Sequence, residues 1–179
     1  MSSNTPISSK GTIAILVGPE YEDLEVWYPK LRLAEAGYDT PLVGIGDASY
    51  SGKWGYPAPV DRQVDDVDPD ELAGVLAPGG WAPDKIRRIP KVLELVRRVH
   101  ERQRMVATIC HGPWILISAK IVAGRTLTST VGIRDDVVNA GATWVDQPSV
   151  IDGNIVSARV PKDLPDFAKA MLQVLDAQS

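Results

Sequence analysis

Three short, mostly apolar runs, each followed directly by turn residues, constrain the fold of this chain more than any other feature. They are residues 13–17 before Gly18-Pro19, residues 74–77 before Pro78-Gly79-Gly80, and residues 105–109 before Cys110. Runs of this length and composition are typical of strands buried on both faces of a parallel sheet. Such strands need helices above and below them, so the runs predict an α/β sandwich.

Segments with helical periodicity alternate with these strands. Residues 23–36 place Leu24, Trp27, Leu31 and Ala34 at helical spacing and stop at Gly37, and residues 38–43 follow as a strand. Further helices are predicted over residues 90–100, 114–119, 133–140 and 165–176, and a hairpin over residues 150–156 around Asp152-Gly153. This order predicts a flavodoxin-like, doubly wound sandwich with a mostly parallel central sheet.

Length and composition indicate one globular domain. The chain has 179 residues and a net charge of −4 from 19 basic and 23 acidic side chains, which is ordinary for a globular protein. We expect a flexible tail over residues 1–10 and a single domain over residues 11–179. The basic residues around Arg97 alternate with Glu94 and Glu101, so they predict a solvated helix face and no nucleic-acid partner. The absence of a signal-like or membrane-length apolar segment and the single cysteine predict a cytoplasmic protein without a membrane partner.

That single cysteine, Cys110, lies where a buried strand turns into a helix that Pro113 can begin. A nucleophile elbow has this form: it projects the side chain from the sheet and leaves backbone N–H groups free to bind an oxyanion. We expect the helix terminus to lower the thiol pKa below its ordinary value of about 8.5. The alternative is a buried cysteine that acts as a small apolar residue. The elbow pattern is incomplete, since Thr108 stands where glycine is usual.

The ends of three predicted strands bring further polar groups to the same edge of the sheet, where ligands bind in folds of this class. Glu20 follows the first strand, Gly80-Trp81 the second, and His111 directly follows Cys110. Each has a structural alternative: Glu20 as a solvated or helix-terminal carboxylate, and His111 as a core or surface histidine. Trp81, together with Trp114, either packs in the core or forms a wall of the pocket.

The same residues resemble the PfpI-type intracellular proteases of the ThiJ/PfpI superfamily, whose fold is like that of class I glutamine amidotransferases. The matching motifs span about residues 12–175 and are Gly18-Pro19-Glu20-Tyr21-Glu22-Asp23, Ala77-Pro78-Gly79-Gly80, Ala107-Thr108-Ile109-Cys110-His111-Gly112-Pro113, Gly132-Ile133-Arg134-Asp135-Asp136 with Asn139-Ala140-Gly141-Ala142, and Asp152-Gly153-Asn154.

The resemblance implies roles for particular residues. It implies Cys110 as nucleophile, Glu20 within hydrogen-bond reach of the sulfur, His111 as the base, and an oxyanion site of N–H groups near Gly80 and His111. It also implies a homodimer or hexamer in which Asp84 of a neighbouring subunit orients His111. Relatives often carry Glu at that position, and Asp is one methylene shorter. The alternative for Asp84 is a helix N-cap.

Three functions fit these residues. The first is an enzyme for small reactive carbonyls, of the glyoxalase III or deglycase type and linked to stress protection, in which the Cys110 thiolate attacks the carbonyl. The second is an intracellular cysteine peptidase that uses the same nucleophile. The third is a non-catalytic redox sensor or chaperone with an oxidisable thiol. Class I glutamine amidotransferase activity is excluded, because no histidine follows His111. Two histidines and one cysteine offer no usual metal-ligand set, and we expect neither metal nor cofactor.

Overall fold

The computed structural model describes residues 9–178, and a central sheet of seven strands organises them. The strand order is β10-β11-β7-β6-β1-β2-β5, and every neighbouring pair is parallel except β10 and β11. These strands are β1 (Thr12–Leu16), β2 (Leu42–Gly44), β5 (Arg62–Gln63), β6 (Leu72–Ala77), β7 (Met105–Ile109), β10 (Ser149–Asp152) and β11 (Ile155–Ala158). The predicted mostly parallel sandwich is therefore confirmed, including the three apolar strands and the hairpin at Asp152-Gly153.

Six helices connect or flank these strands: α1 (Asp23–Glu35), α2 (Ala82–Ile86), α3 (Pro90–Glu101), α4 (Pro113–Ser118), α5 (Arg134–Asn139) and α6 (Leu164–Ala177). Pro90 and Pro113 stand at the first position of α3 and α4, where a missing N–H costs no hydrogen bond. The helices predicted from periodicity all form, within about two residues at each end.

Parallel register aligns the ends of three strands. Ala77 of β6 pairs with Thr108 of β7, and Ile15 of β1 pairs with Leu76 of β6. The segments that follow β1, β6 and β7 therefore leave the sheet at one edge. This edge carries Glu20, Gly80 and Cys110.

The buried face of α1 differs from the predicted one. Leu24 and Leu31, which were expected to face the core, are 57% and 64% exposed. The helix instead buries Val26 and Leu33, together with the carboxyl-bearing Glu25 at 0% exposure. The buried carboxyl group is hydrogen-bonded at the edge of the sheet, where its Oε2 accepts the Gly79 N–H at 2.7 Å.

Two small sheets lie outside the central one. Strands β3 (Ser49–Ser51) and β4 (Pro57–Pro59) form an antiparallel hairpin, and β8 (Thr126–Leu127) pairs with β9 (Thr143–Trp144). The β3–β4 turn is held over the start of α1, since both Asp23 carboxylate oxygens accept backbone N–H groups, from Tyr56 and Trp54, at 3.0 Å. Sequence patterns did not predict this hairpin.

The predicted tail lies mostly outside the described part of the chain, which begins at residue 9. Within the described part, the Lys10 N–H donates to the Gly37 carbonyl at 2.9 Å. None of the helices over residues 9–178 is long and apolar enough to cross a bilayer.

Candidate active site

Cys110 lies on a strained turn between β7 and α4. Its φ of 61° is in the left-handed region that side chains other than glycine rarely adopt. Its N–H donates to the Ala158 carbonyl of β11 at 3.1 Å, and its carbonyl accepts from the N–H of Thr130, in the loop after β8, at 3.2 Å, so a strand and a loop hold the turn. A Cβ at Gly112 would overlap the Ala77 carbonyl and the Thr108 hydroxyl. The turn therefore requires glycine at this position.

His111 meets the cysteine side chain. Its Nδ1 lies 3.3 Å from the Cys110 Sγ. The imidazole lies between two indole rings, with centroid separations of 5.3 Å to Trp81 and 5.2 Å to Trp114. Burial, and then the charge of Lys53, lower the pKa of His111. The imidazole is therefore mostly neutral at pH 7 and can accept a proton from the thiol.

The carboxyl group next to the sulfur belongs to Glu25. This residue is fully buried, and its Oε2 accepts the Gly79 N–H at 2.7 Å. Its side chain also interacts with the Cys110 thiol. Burial raises the pKa of Glu25 to about 8, despite the favourable Gly79 hydrogen bond. At neutral pH the group is mostly protonated, so it can donate a proton or a hydrogen bond to a reacting atom.

The resemblance implied that Glu20 lies next to the Cys110 sulfur, and the structure corrects this assignment. Glu20 is exposed, whereas Glu25 is buried against the elbow. Glu20 contributes through its backbone: its φ is 59°, its N–H donates to Ser51 at 3.0 Å, and its carbonyl accepts from Trp81 at 2.9 Å. Glu20 shapes the loop beside the site, and the contact with sulfur is made by Glu25, in the first turn of α1.

The expected low pKa of Cys110 is also corrected. Burial, and then the neighbouring Glu25 carboxyl, raise the pKa of the thiol to about 12. Helix α4 has only six residues, and its terminus does not outweigh desolvation and a like charge. The thiol is therefore protonated at rest. Attack on a substrate requires the proton to leave as the new bond forms, and His111 Nδ1 is placed to receive it.

Two backbone N–H groups point to the sulfur, those of Gly80 and His111, and both favour its charged form. These are the positions at which the resemblance implied an oxyanion site. The loop comes this close because Gly79 has no side chain: a Cβ there would lie 2.5 Å from the Glu25 Oε2 and 2.7 Å from the Cys110 Cβ. The groups can therefore stabilise negative charge next to Cys110.

Asp84 lies inside α2, and its side chain does not cap that helix. Its Oδ2 is 2.6 Å from an Arg88 guanidinium nitrogen of the same chain. This ion pair is half-exposed. The cross-subunit contact with His111 therefore stays a prediction.

Trp81 is 50% exposed and, with Trp114, flanks the imidazole, so both tryptophans line the site. A cavity of about 630 Å³ lies elsewhere, between α1 and the β3–β4 turn, and is lined by Trp27, Leu31 and Trp54 among others. Among residues 9–178, no group of three or more His, Cys, Asp or Glu side chains could hold a metal ion.

Comparisons with known proteins match this architecture. Residues 11–174 match the family model described as DJ-1/PfpI family. The chain is 43% identical over 163 residues to a protein of Pyrococcus furiosus named Deglycase PfpI, covering 91% of this chain and 98% of that one. It is 44% identical, over 91% of this chain and 98% of the relative, to a protein of Thermococcus kodakarensis named as a deglycase.

A solved structure has the same fold. It is a two-domain protein of Anabaena variabilis that contains DJ-1/ThiJ/PfpI-like and ferritin-like domains, and it matches with a TM-score of 0.89 and 35% identity. The match covers 93% of this chain and 48% of that protein, so the chain spans about half of it. Sequence and fold together show that this chain belongs to the DJ-1/PfpI family.

Proposed function

We propose that this protein is a cysteine-dependent enzyme acting on small reactive carbonyls, of the deglycase or glyoxalase III type. The observation that carries the proposal is the grouping at the elbow: the Cys110 Sγ lies 3.3 Å from the His111 Nδ1 and interacts with the buried Glu25 carboxyl. The relatives named as deglycases support the substrate class.

The first step is addition of sulfur to an aldehyde carbon. The Sγ–C bond forms, the thiol proton moves to the His111 Nδ1, and the carbonyl π electrons become an oxyanion near the N–H groups of Gly80 and His111. For a 2-oxoaldehyde, return of the proton from the His111 imidazolium to the oxyanion gives a neutral hemithioacetal. Glu25 or His111 then moves the carbon-bound proton to the neighbouring carbon, while the hydroxyl proton passes to the former ketone oxygen, and the product is a thioester. Water then releases a hydroxy acid and restores the thiol.

Glu25 fits the acid–base role because its raised pKa places its titration near neutral pH.

Turnover of methylglyoxal, with casein hydrolysis measured in parallel, tests the proposal. We expect Cys110→Ser to abolish turnover and Glu25→Gln to lower it at least about a hundredfold. Glu20→Gln is the matched control, since it makes the same change at an exposed position, and should stay within about twofold of wild type. Casein hydrolysis without methylglyoxal turnover would favour the peptidase. Loss of turnover in Glu20→Gln, with activity retained in Glu25→Gln, would refute the assigned roles.

A further inference from the structure

The His111 imidazole has no carboxylate partner among the described residues of its own chain; its one hydrogen-bond contact is the one with Cys110. Its orientation nevertheless decides whether Nδ1 faces the sulfur. What surrounds the ring is aromatic: Trp81 and Trp114 pack at tilted angles of 44° and 59°. A base that has no hydrogen-bonded orienting group in its own chain depends on such packing to stay in a productive position.

Trp114 is itself fixed by two charged side chains. Its indole N–H donates to the Asp136 Oδ2 at 2.8 Å. The Arg87 guanidinium carbon lies 5.6 Å from the centre of the indole ring, within the range of a cation–π contact. Arg87 is held in turn by a hydrogen bond from its Nε to the Ser118 hydroxyl at 2.9 Å. The indole is thus restrained both at its N–H edge and at its face.

Asp136 belongs to the first turn of α5, and α5 packs against α4, the helix that carries Trp114. Asp136 is exposed, and its one side-chain hydrogen bond among the described contacts is the bond from the indole. Among the described residues Asp136 makes no ion pair, and the favourable place of an acidic side chain in the first turn of α5 is shared with Asp135. Its contact is with the ring that orients the base.

We propose that Asp136 is a positioning residue for the Cys110 site, acting through Trp114 to hold the His111 imidazole against the sulfur. This rests on the role of His111 as the base in the proposed function. Without the Asp136 carboxylate the indole can rotate, and the imidazole that packs on it loses the geometry needed to accept the thiol proton.

The test uses alkylation of Cys110 by iodoacetamide at neutral pH, which needs no substrate and reports on one site because the chain has a single cysteine. We expect Asp136→Ala to slow alkylation about fivefold to twentyfold. Asp136→Asn keeps an oxygen acceptor for the indole and should restore the rate to within about twofold. Asp135→Ala, which removes a carboxylate from the same helical turn, is the matched control and should behave as wild type.

A double-mutant cycle separates positioning from a general structural effect. In a His111→Ala background, Asp136→Ala should cause no further loss, because it acts only through the imidazole. The same should hold in a Trp114→Phe background, which removes the N–H but keeps an aromatic ring. Two results would overturn the inference. One is that Asp136→Ala slows the alkylation of Cys110 equally in all backgrounds, and the other is that Asp136→Ala and Asp135→Ala proteins are alkylated at the same rate.

Turnover adds a second readout. For methylglyoxal, Asp136→Ala should lower kcat with KM within about twofold of wild type, because the substrate contacts are unchanged. A wild-type protein that turns over no carbonyl, while its alkylation still depends on Asp136 through His111, would refute the proposed function and support the positioning role. Turnover of methylglyoxal with an alkylation rate that does not depend on Asp136 would support the proposed function and refute the positioning role.

Discussion

At the scale of single residues, the site is governed by the protonation of two buried groups in contact. Burial raises the pKa of Glu25 to about 8. Burial, and then the neighbouring Glu25 carboxyl, raise the pKa of Cys110 to about 12. Both therefore hold their protons at neutral pH, next to a neutral His111. In the proposed mechanism, the thiol becomes reactive when a carbonyl accepts electrons from sulfur and His111 accepts the proton.

The pH dependence of stability follows from the raised pKa of Glu25. A group whose folded pKa exceeds its unfolded value stabilises the fold at low pH, and this contribution is lost as the pH rises through the folded pKa. We expect Glu25→Gln to gain stability relative to wild type as the pH rises from about 5 to about 9, since Gln does not ionise. Urea unfolding at both pH values measures this, with Glu20→Gln as control. A constant difference between the Glu25→Gln and wild-type free energies of unfolding would contradict the raised pKa.

At the scale of elements, the elbow between β7 and α4 is the part of the site that depends most on backbone geometry. Gly112→Ala places a methyl group against the Ala77 carbonyl and the Thr108 hydroxyl, so we expect a loss of about 2–4 kcal/mol in the free energy of unfolding. Gly132→Ala is the matched control because its Cβ would meet nothing within 4 Å. Chemical denaturation measures both. Equal effects of the two substitutions would show that the elbow is less tightly packed than described.

The sequence predicted this elbow because its signals are local: an apolar strand, one cysteine, a glycine and a helix-starting proline. It did not predict Glu25, because the periodicity of Leu24, Trp27, Leu31 and Ala34 selected the wrong face of α1. A glutamic acid buried in a helix runs against the ordinary burial preference. Its contacts are with Gly79 and Cys110, which are distant in sequence and so give no local signal.

The β3–β4 hairpin is a second feature that the sequence patterns did not predict. Its strands have three residues each and one includes two prolines, so their pattern is too short and too irregular to indicate strands. The hairpin is positioned by tertiary contacts, chiefly those of Asp23 with the backbone of the turn. Such contacts carry no periodic signal in the sequence.

At the scale of the whole molecule, we propose that the site is completed by association of subunits, with Asp84 of one copy near His111 of another. Activity should then fall on dilution together with dissociation, and Asp84→Asn should lower turnover about tenfold without changing the assembly. Sedimentation velocity and activity over the same concentration range test this. Activity per chain that is independent of dilution, with a silent Asp84→Asn, would leave Asp84 as the partner of Arg88 only.

The most direct test of the account is the titration of the thiol by its ultraviolet thiolate absorbance, which a single cysteine makes unambiguous after correction with Cys110→Ser. At about pH 9, where an ordinary cysteine is mostly ionised, we predict that Cys110 of the wild type is still mostly protonated. Glu25→Gln should move the titration to lower pH, since it removes the neighbouring negative charge, and Glu20→Gln should leave it unchanged. A wild-type thiol that ionises at or below the ordinary pH, or one that responds to Glu20→Gln and not to Glu25→Gln, would contradict the control of Cys110 by Glu25.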